Sequence, residues 1–508
     1  MNVGEHVSRA ARFHLWRTAL IDGARRVSFA ALEERTNRLA HALVARGIQR
    51  RDRVALVLPN SVEWIESDFA IAKAGAMTVP LAVRLHEREM AGMIEASQAS
   101  LLITDVATLA RLRSLIGAIA VLVVGAAGDE GYEAAMAGGS ARHLCVEVDE
   151  ASDGRVMRFT SGTTGKPKGV YLTHRNWLAI AHCHLLDRWS LQPDDVFLGT
   201  SPYSHAGGLW ILPALMRGAA VNIYDKFEAE TLLAEIEGGR ASVVQLVPTA
   251  LRRLLDLPGV ADRKFEGLRA VHYGGAPIDG PMLAEALAVI GPKLVQGYGL
   301  NEAGIVCTLQ AADHTKAIGQ QGWLQPLGRE VTMAEIVIAD ATGRAVADGE
   351  IGEITIRGPM VFPEYWRDPQ ATAVAIREGG FFWTGDLALR GANGYVYLAG
   401  RSKDIIVTGG FNVSPDEVES MVARHPAVHQ CAVIGIADRE WGEQVTAFVV
   451  VRPGMSLTAK ELIDFCRDNL TGYKKPREVR FVTSLPVNSN GKVVRRMLRE
   501  QVAQEKLD

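Results

Sequence analysis

The 508-residue sequence has few cysteines and no CxxC pair among them. The five are Cys145, Cys183, Cys307, Cys431 and Cys466. An odd number of scattered cysteines argues against a disulfide framework and suits a reducing compartment. We therefore expect the protein to be cytoplasmic.

Long hydrophobic runs are also missing. The most apolar stretch, 115–128, has 14 residues, whereas a membrane-spanning helix needs about 20. It predicts a buried strand followed by a turn. The first residues, MNVGEHVSRAARF, lack the apolar core of a signal peptide. We expect no integral membrane segment.

Neither sign of charge is in excess, since 55 Lys and Arg face 58 Asp and Glu, for a net charge of -3. This balance gives no reason to expect nucleic acid as a partner. With 48% hydrophobic and 22% charged residues, disorder, collagen and coiled coil are excluded as the main class. The chain is long enough for several domains with large buried sheets.

Strand and helix patterns alternate through the first 150 residues. A buried strand is predicted at 53–58, and a helix capped by Asn60 follows it, with its apolar face at helical spacing. Further elements are predicted at 77–81, 87–96 and 101–104, and the same rhythm recurs between about 195 and 300. This order indicates parallel α/β units. From about Arg329 the pattern becomes β-rich, and a compact unit of strands and helices follows Gly400.

A loop of small hydroxyl and glycine residues, Thr160-Ser161-Gly162-Thr163-Thr164-Gly165-Lys166-Pro167-Lys168-Gly169, follows the strand predicted at 156–159. Such a loop presents N–H and O–H donors without side-chain bulk, and its two lysines add positive charge, as a polyphosphate requires. It is not a Walker A loop, because only two residues separate Gly162 from Gly165 and Pro167 follows Lys166.

This loop resembles the phosphate-loop signature of the adenylate-forming superfamily, which includes the AMP-forming acyl-CoA synthetases. Six further segments resemble that family in the right order: 202–207 (PYSHAG), 274–277 (GGAP), 296–302 (QGYGLNE), 383–386 (WTGD), 400–404 with 409–413 (GRSKD and GGFNV), and 485–486 with 490–492 (LP and NGK). The resemblance therefore covers essentially the whole chain.

The resemblance implies roles for individual residues. The catalytic residues would be Lys492, Glu302 and His205, with Glu302 also the ligand of Mg²⁺. The nucleotide-binding residues would be Thr160, Ser161, Gly162, Thr163, Thr164, Lys168, Gly274, Gly275, Ala276, Tyr298, Gly299, Asn301, Asp386, Arg401 and Lys403. Asn301 departs from the family, which usually has Thr there; the amide is still a donor, but its geometry differs.

These roles suit the chemistry. Joining a carboxylate to the α-phosphate of ATP brings two anions together, so catalysis is mostly electrostatic. Lys492 would contact both reactants, Glu302 would hold a phosphate-bridging Mg²⁺, and Asp386 would accept the ribose hydroxyls. The planar guanidinium of Arg401 would donate paired hydrogen bonds to ribose or phosphate oxygens, and the Tyr298 ring suits stacking on adenine.

The implied fold is α/β: a large N-terminal domain of α/β sheets with a β-rich subdomain (1–400), a hinge (401–403) and a small mobile α+β C-terminal domain (404–508). The implied reaction is AMP-forming carboxylate–CoA ligation, with ATP, Mg²⁺ and coenzyme A and a carboxylic acid as substrate. Loading of a carrier protein, luciferase-like oxidation and non-catalytic nucleotide binding stay open as alternatives. The oligomeric state is also open, with a homodimer as one option.

The acid is expected to have a neutral tail. By resemblance its pocket is lined by 202–210, 245–249, 272–276 and 296–307, whose one formally charged side chain is Glu302. Without a cation to pair a second carboxylate, dicarboxylates should be rejected, as should amino acids. Because Gly207, Gly208 and Gly304 have no side chains, they would leave the pocket deep enough for a long acyl chain. We expect a medium- or long-chain fatty acid first and an aryl or alicyclic acid second.

Overall fold

A computed structural model describes residues 1–160, 167–188, 191–317, 321–322, 324–487 and 493–505. The chain folds as an α/β protein on three sheets, and the predicted fold class is confirmed: large N-terminal sheets are followed by a C-terminal α+β unit. None of the helices in these ranges has both the length and the apolar character that a membrane span requires.

The strands, in chain order, are β1 Thr18–Asp22, β2 Arg25–Ser28, β3 Arg53–Val57, β4 Met77–Pro80, β5 Leu101–Asp105, β6 Ala120–Val124, β7 Gly154–Thr160, β8 Lys168–Thr173, β9 Val196–Gly199, β10 Ala220–Ile223, β11 Val243–Leu246, β12 Ala270–Gly274, β13 Leu294–Leu300, β14 Gly304–Leu309, β15 Gln325–Glu330, β16 Glu335–Ala339, β17 Gly352–Arg357, β18 Glu364–Tyr365, β19 Phe382–Arg390, β20 Val396–Arg401, β21 Ile406–Thr408, β22 Phe411–Val413, β23 Val428–Asp438, β24 Gly442–Val451 and β25 Glu478–Phe481.

The helices are α1 Glu5–His14, α2 Phe29–Ala45, α3 Val62–Lys73, α4 Glu87–Ser97, α5 Val106–Leu112, α6 Tyr132–Gly138, α7 His174–Cys183, α8 Ile211–Met216, α9 Ala229–Glu237, α10 Pro248–Leu255, α11 Gly280–Ile290, α12 His314–Ala317, α13 Pro369–Ala375, α14 Pro415–Val422, α15 Ala459–Asn469 and α16 Arg495–Glu505. One π-helical turn, His184–Arg188, continues directly from α7.

A seven-stranded sheet in the order β18-β8-β7-β4-β3-β5-β6 contains the N-terminal alternation. The pairs β3–β4, β3–β5, β5–β6 and β4–β7 are parallel, as the strand–helix–strand spacing predicted. Strands β7 and β8 form an antiparallel hairpin at one side of this sheet.

A 13-stranded sheet contains both the second alternation and the β-rich region, in the order β16-β17-β19-β20-β15-β14-β13-β12-β11-β9-β10-β1-β2. Strands β9 to β13 pair in parallel, and pairing becomes antiparallel from β13 onward. Pairing therefore changes from parallel to antiparallel between β13 and β14, before the sequence pattern becomes β-rich near Arg329 in β15.

The C-terminal unit has a five-stranded sheet, β22-β21-β24-β23 with β25 alongside β24. Helices α14 and α15 pack with an apolar core that includes Val418, Val433 and Leu462. The domain limits 1–400, 401–403 and 404–508, and the mobility of the last domain, stay predictions.

One capping prediction is wrong. The N-cap of α3 is Ser61, whose Oγ accepts from the Trp64 N–H at 3.1 Å. Asn60 instead donates to the carbonyl oxygen of Ser201 at 3.2 Å and accepts from the Tyr203 N–H at 2.8 Å. It therefore links the first sheet to the segment that carries His205.

Candidate active site

The phosphate-loop segment joins β7 to β8. Thr160, the last residue of β7, pairs with Lys168, the first residue of β8. Ser161, Gly162, Thr163 and Thr164 were predicted to bind phosphate and lie outside the described residues. At the described end of the loop, Lys168 Nζ lies 5.0 Å from the ring centroid of Tyr365.

Glu302 lies in the turn between β13 and β14 and faces the same tyrosine. The Tyr365 hydroxyl donates to Glu302 Oε1 at 2.9 Å. Desolvation raises the pKa of Glu302, and this hydrogen bond and the more distant Arg401 oppose the rise. Within the described ranges the carboxylate has no ion pair, although it is partly buried. An acid that lacks a cation in such a place is suited to a metal ion.

The residues present fit Mg²⁺ if phosphate oxygens and water complete its shell. No group of three or more His, Cys, Asp or Glu side chains suited to a metal is found in the part of the chain that the structure describes. Glu302 would then be the protein ligand, as is usual for Mg²⁺ bound together with a nucleotide.

Asp386 and Arg401 lie opposite each other on the antiparallel strands β19 and β20. Arg401 Nε lies 2.7 Å from Asp386 Oδ1, and the Tyr298 hydroxyl donates to Asp386 Oδ2 at 2.7 Å. Desolvation and then the Asp386 charge raise the pKa of Tyr298, so the phenol stays protonated and remains a donor. The structure thus brings together three residues that the sequence predicted for the nucleoside.

The glycines of the adenine-side segments allow close backbone approach. A Cβ on Gly274 would lie 2.2 Å from the carbonyl oxygen of Gly297, and one on Gly299 would lie 2.0 Å from that of Gly304. Gly275 has φ +84°, the left-handed region that glycine adopts without strain. Ala276 continues the turn after β12.

Three further residues were predicted for the site: Asn301, Lys403 and Lys492. Asn301 lies in the turn before Glu302, and its side chain makes no hydrogen bond to the described residues. Lys403 is exposed, in a 3₁₀ turn after β20. Lys492 lies outside the described residues.

His205 precedes the 3₁₀ turn Ala206–Trp210, and its Nδ1 lies 3.0 Å from Ser204 Oγ. Desolvation, and then the charge of Arg158, lowers the pKa of His205 to about 4. The imidazole is therefore neutral near pH 7, and as a proton donor it would be poorly matched to that pH.

The four stretches expected to line the acyl pocket do converge. Gln245 pairs with His272 across β11 and β12, and β12 pairs with β13. The Trp210 ring lies 4.5 Å from the His272 ring, between centroids. The Tyr273 hydroxyl donates to Gln296 Oε1 at 3.0 Å.

The expectation that no arginine or lysine lines these stretches is wrong. Arg188, from the π-helical turn after α7, places its guanidinium carbon 4.9 Å from the Trp210 ring centroid. A Cβ on Gly297 would lie 2.6 Å from that same carbon. Arg188 lies outside the four stretches in the sequence, so the residues of those stretches alone could not reveal it.

The expected depth is also not present at the three glycines. A Cβ on Gly207 or Gly208 would lie 2.3 or 2.2 Å from a backbone carbonyl oxygen, and one on Gly304 would lie 2.7 Å from the Ile180 side chain. The space next to each glycine is already filled by the fold.

Two residues of the site were missed from the sequence. Tyr365 follows no periodic pattern, and no local signal could have found it. Arg188 stands four residues after His184 on the continuation of α7, and both are buried. Polar residues at helical spacing on a buried face were a readable signal for the second.

Comparison with known proteins gives matches over nearly the whole chain. Residues 7–366 match the family model of the AMP-binding enzyme, and residues 417–492 match that of the AMP-binding enzyme C-terminal domain. A feruloyl-CoA synthase of an Amycolatopsis species is 34% identical, with 98% of this chain and 99% of the relative covered. The fatty acid–[acyl-carrier-protein] ligase ScoC of Streptomyces coeruleorubidus is 33% identical, with 95% and 93% covered. Among solved structures, ATP-bound MatB from Rhodopseudomonas palustris has a TM-score of 0.91 at 31% identity, with 99% of both chains covered.

Proposed function

The chain belongs to the family of AMP-binding enzymes and is an AMP-forming acyl-CoA synthetase, and we propose that it forms an acyl-CoA through an acyl-adenylate. In the first half-reaction a carboxylate oxygen attacks the α-phosphorus of ATP and pyrophosphate leaves. In the second, the CoA thiol attacks the acyl carbon, loses its proton, and expels AMP.

The convergence of Lys168, Glu302 and Asp386 carries this proposal. Lys168 and Glu302 both contact Tyr365, which places a phosphate-attracting cation beside a carboxylate that has no ion pair with the described residues. Mg²⁺ bound to Glu302 would neutralise phosphate charge. Asp386 keeps lone pairs for ribose hydroxyls, because Tyr298 and Arg401 use only part of its acceptor capacity.

We assign the catalytic cation to Lys492 and the hinge to 401–403, on the resemblance of their motifs. Lys492 would stabilise the adenylation transition state, and rotation about Lys403 would then exchange it for the CoA thiol. His205, neutral and beside the acyl stretches, would position the acid. The phosphate loop 160–168 and the turn 274–276 would hold ATP.

For the acid, two classes remain as candidates. A medium- or long-chain fatty acid was expected first, and the fatty acid named for one relative supports it. The filled space beside Gly207, Gly208 and Gly304 favours instead a compact aryl or alicyclic acid. The acid named for the feruloyl-CoA synthase supports that second class.

The place of action follows from the chemistry of the substrates. The five cysteines are free in the structure, which supports a reducing cytoplasm, where ATP and CoA are available. A carrier protein in place of CoA stays an alternative acceptor.

The deciding experiment measures pyrophosphate release and thioester formation with ATP, Mg²⁺, CoA and a panel of acids. We expect both products in equal amounts. Pyrophosphate without CoA thioester would contradict CoA as the acceptor, and neither product from any acid would contradict the proposed function.

Lys492→Ala separates the half-reactions. Acyl-AMP formation should fall by about 10²- to 10³-fold, the scale of one electrostatic donor, while CoA attack on supplied acyl-AMP stays near normal. Lys460→Ala, a matched change at an exposed lysine of the same C-terminal unit, should alter neither. Equal losses in both half-reactions would refute the role.

A further inference from the structure

Arg188 is an almost fully buried cation beside the acyl-pocket stretches. It ends the π-helical turn His184–Arg188, and only 5% of the residue is exposed. Such turns within helices are rare and occur often at functional sites. The guanidinium lies against the Trp210 ring and close to the backbone of Gly297.

The described residues provide no acceptor for this cation. Its Nε has no hydrogen-bond partner, and no ion pair or hydrogen bond to its other nitrogens is found in the described ranges. Desolvation lowers the pKa of Arg188 to about 9, with no carboxylate to oppose it. Both ring nitrogens of the fully buried His184, one helical turn earlier, also make no hydrogen bond to the described residues.

Two other buried arginines, Arg155 and Arg158, show how a structural arginine is bonded in this fold. Arg155 is fully buried and pairs with Asp68 through both of its terminal nitrogens, at 3.0 and 2.5 Å. Arg158 donates to the carbonyl oxygen of Ser204 at 3.5 Å. Among the residues that the structure describes, Arg188 has neither kind of partner.

The Trp210 ring by itself does not offset the burial of this charge. A desolvated cation–π contact contributes about 2 kcal/mol, whereas an unpaired buried ion costs several kcal/mol. A residue kept at such a cost is expected where a ligand supplies the missing partner.

The position of the charge identifies that ligand. Trp210, His272 and Gly297 belong to three of the four stretches assigned to the acyl pocket, and Arg188 lies against the first and the last of these. Arg188 lowers the pKa of His272 after desolvation does, which places its charge near the third. The guanidinium therefore borders the pocket where the acid is proposed to lie.

We propose that Arg188 binds an oxygen acceptor at the far end of the carboxylic acid, with a second carboxylate as the best-matched group. This inference rests on the proposed function, and it reverses the expectation that dicarboxylates are rejected. A planar guanidinium offers two parallel N–H donors to a carboxylate, and His184 adds a further donor or acceptor.

The test uses acids that differ only at the far end. One set is 3-phenylpropanoate with a para-methyl, para-hydroxyl or para-carboxyl group, and the other pairs straight-chain monocarboxylates with dicarboxylates of equal length. In the wild type, kcat/KM for the carboxyl member should exceed that of the methyl member by about 10- to 100-fold in at least one set, as for a hydrogen bond to a charged group.

Arg188→Met should remove this preference, so that the ratio of kcat/KM for the carboxyl-bearing acid to that for the methyl-bearing acid falls to about one or below. Arg188→Lys should retain part of the preference, since it keeps the charge but loses the bidentate geometry. If Arg188 were only structural, the substitution would lower kcat/KM for both acids by the same factor and leave the ratio of the two values unchanged.

The proposal is overturned if the wild type prefers the methyl member in every set, or if the preference persists in Arg188→Met. Thioester formation from the methyl-bearing acids with no effect of Arg188 on selectivity refutes this inference alone. Absence of pyrophosphate and thioester with every acid refutes the proposed function, and the inference that rests on it falls too.

Discussion

The Tyr298 hydroxyl donates a 2.7 Å hydrogen bond to Asp386 Oδ2, although 88 residues separate the two in sequence. With Arg401 on the other oxygen at 2.7 Å, the carboxylate is held from both sides. The tyrosine expected to stack on adenine therefore also orients the acid expected to bind ribose. Two adjacent parts of the proposed nucleoside site are coupled by this one contact.

Tyr298→Phe keeps the ring and removes that donor. We expect kcat/KM for ATP to fall about 10-fold, the scale of one hydrogen bond to a charged group, with little change in the KM for CoA. ATP–pyrophosphate exchange measures the effect. Tyr171→Phe, which removes a hydroxyl bonded to the Ser152 carbonyl oxygen instead, is the control. An unchanged response to ATP in Tyr298→Phe would show that Asp386 does not depend on the contact.

Glu302→Gln keeps the shape of the side chain and removes its charge. We expect the Mg²⁺ concentration for half-maximal adenylation to rise at least about 10-fold, because a neutral amide is a weaker ligand of a hard cation. Tyr365→Phe, which removes only the hydroxyl bonded to Glu302, should have the same effect on a smaller scale. A Mg²⁺ dependence like that of the wild type in Glu302→Gln would exclude this residue as the ligand.

Arg155→Met and Arg188→Met make the same change at two buried arginines and should have opposite effects on stability. The first leaves Asp68 without its partner, and we expect a loss of about 3–5 kcal/mol in the free energy of unfolding. The second removes a buried charge that has no ion pair with any described residue, so the free energy of unfolding should stay the same or rise. Denaturant unfolding of both variants checks this. A large loss in Arg188→Met would mean that the charge has a partner in the folded protein.

Stability should fall on mild acidification because several histidines are buried as neutral groups. Desolvation lowers the pKa of His6 to about 4 and that of His174 to about 3. Their contribution is complete above the unfolded value near 6.5, and it is lost as the pH falls toward the folded value. Within that window each of these histidines lowers the free energy of unfolding by about 1.4 kcal/mol for every unit by which the pH falls.

His6→Gln should lower the slope of unfolding free energy against pH by that amount between pH 6.5 and 4.5. The matched control is His86→Asn, at an exposed histidine that caps α4, where Asn also serves as a cap. Denaturant unfolding at several pH values gives both slopes. An identical slope in His6→Gln and the wild type would contradict the burial of the neutral ring.

By itself, the sequence was enough to predict the fold class, the family and the reaction class, whereas the roles of individual site residues stay predictions. Strands such as 53–57 and the hairpin around Thr160 and Lys168 depend on apolar periodicity and on glycine and hydroxyl residues close together in the chain. Those signals come from residues close together in the sequence, so they can be recognised without knowing how the chain packs. The capping of α3 shows the limit, since Asn60 and Ser61 are both good caps and only the contact of Asn60 with a distant loop separates them.

Only the tertiary structure determined which charges are paired. The hydrogen-bond partner of Glu302 is Tyr365, 63 residues later in the sequence. Arg188 packs close to the backbone of Gly297, which is more than a hundred residues away in the sequence. Whether a buried cation has an acceptor depends on elements that come together only when the sheets assemble, and its energy depends on the loss of water at that place. Selection of the acid is proposed to depend on contacts of this kind, and for that reason the sequence predicted the reaction more fully than the substrate.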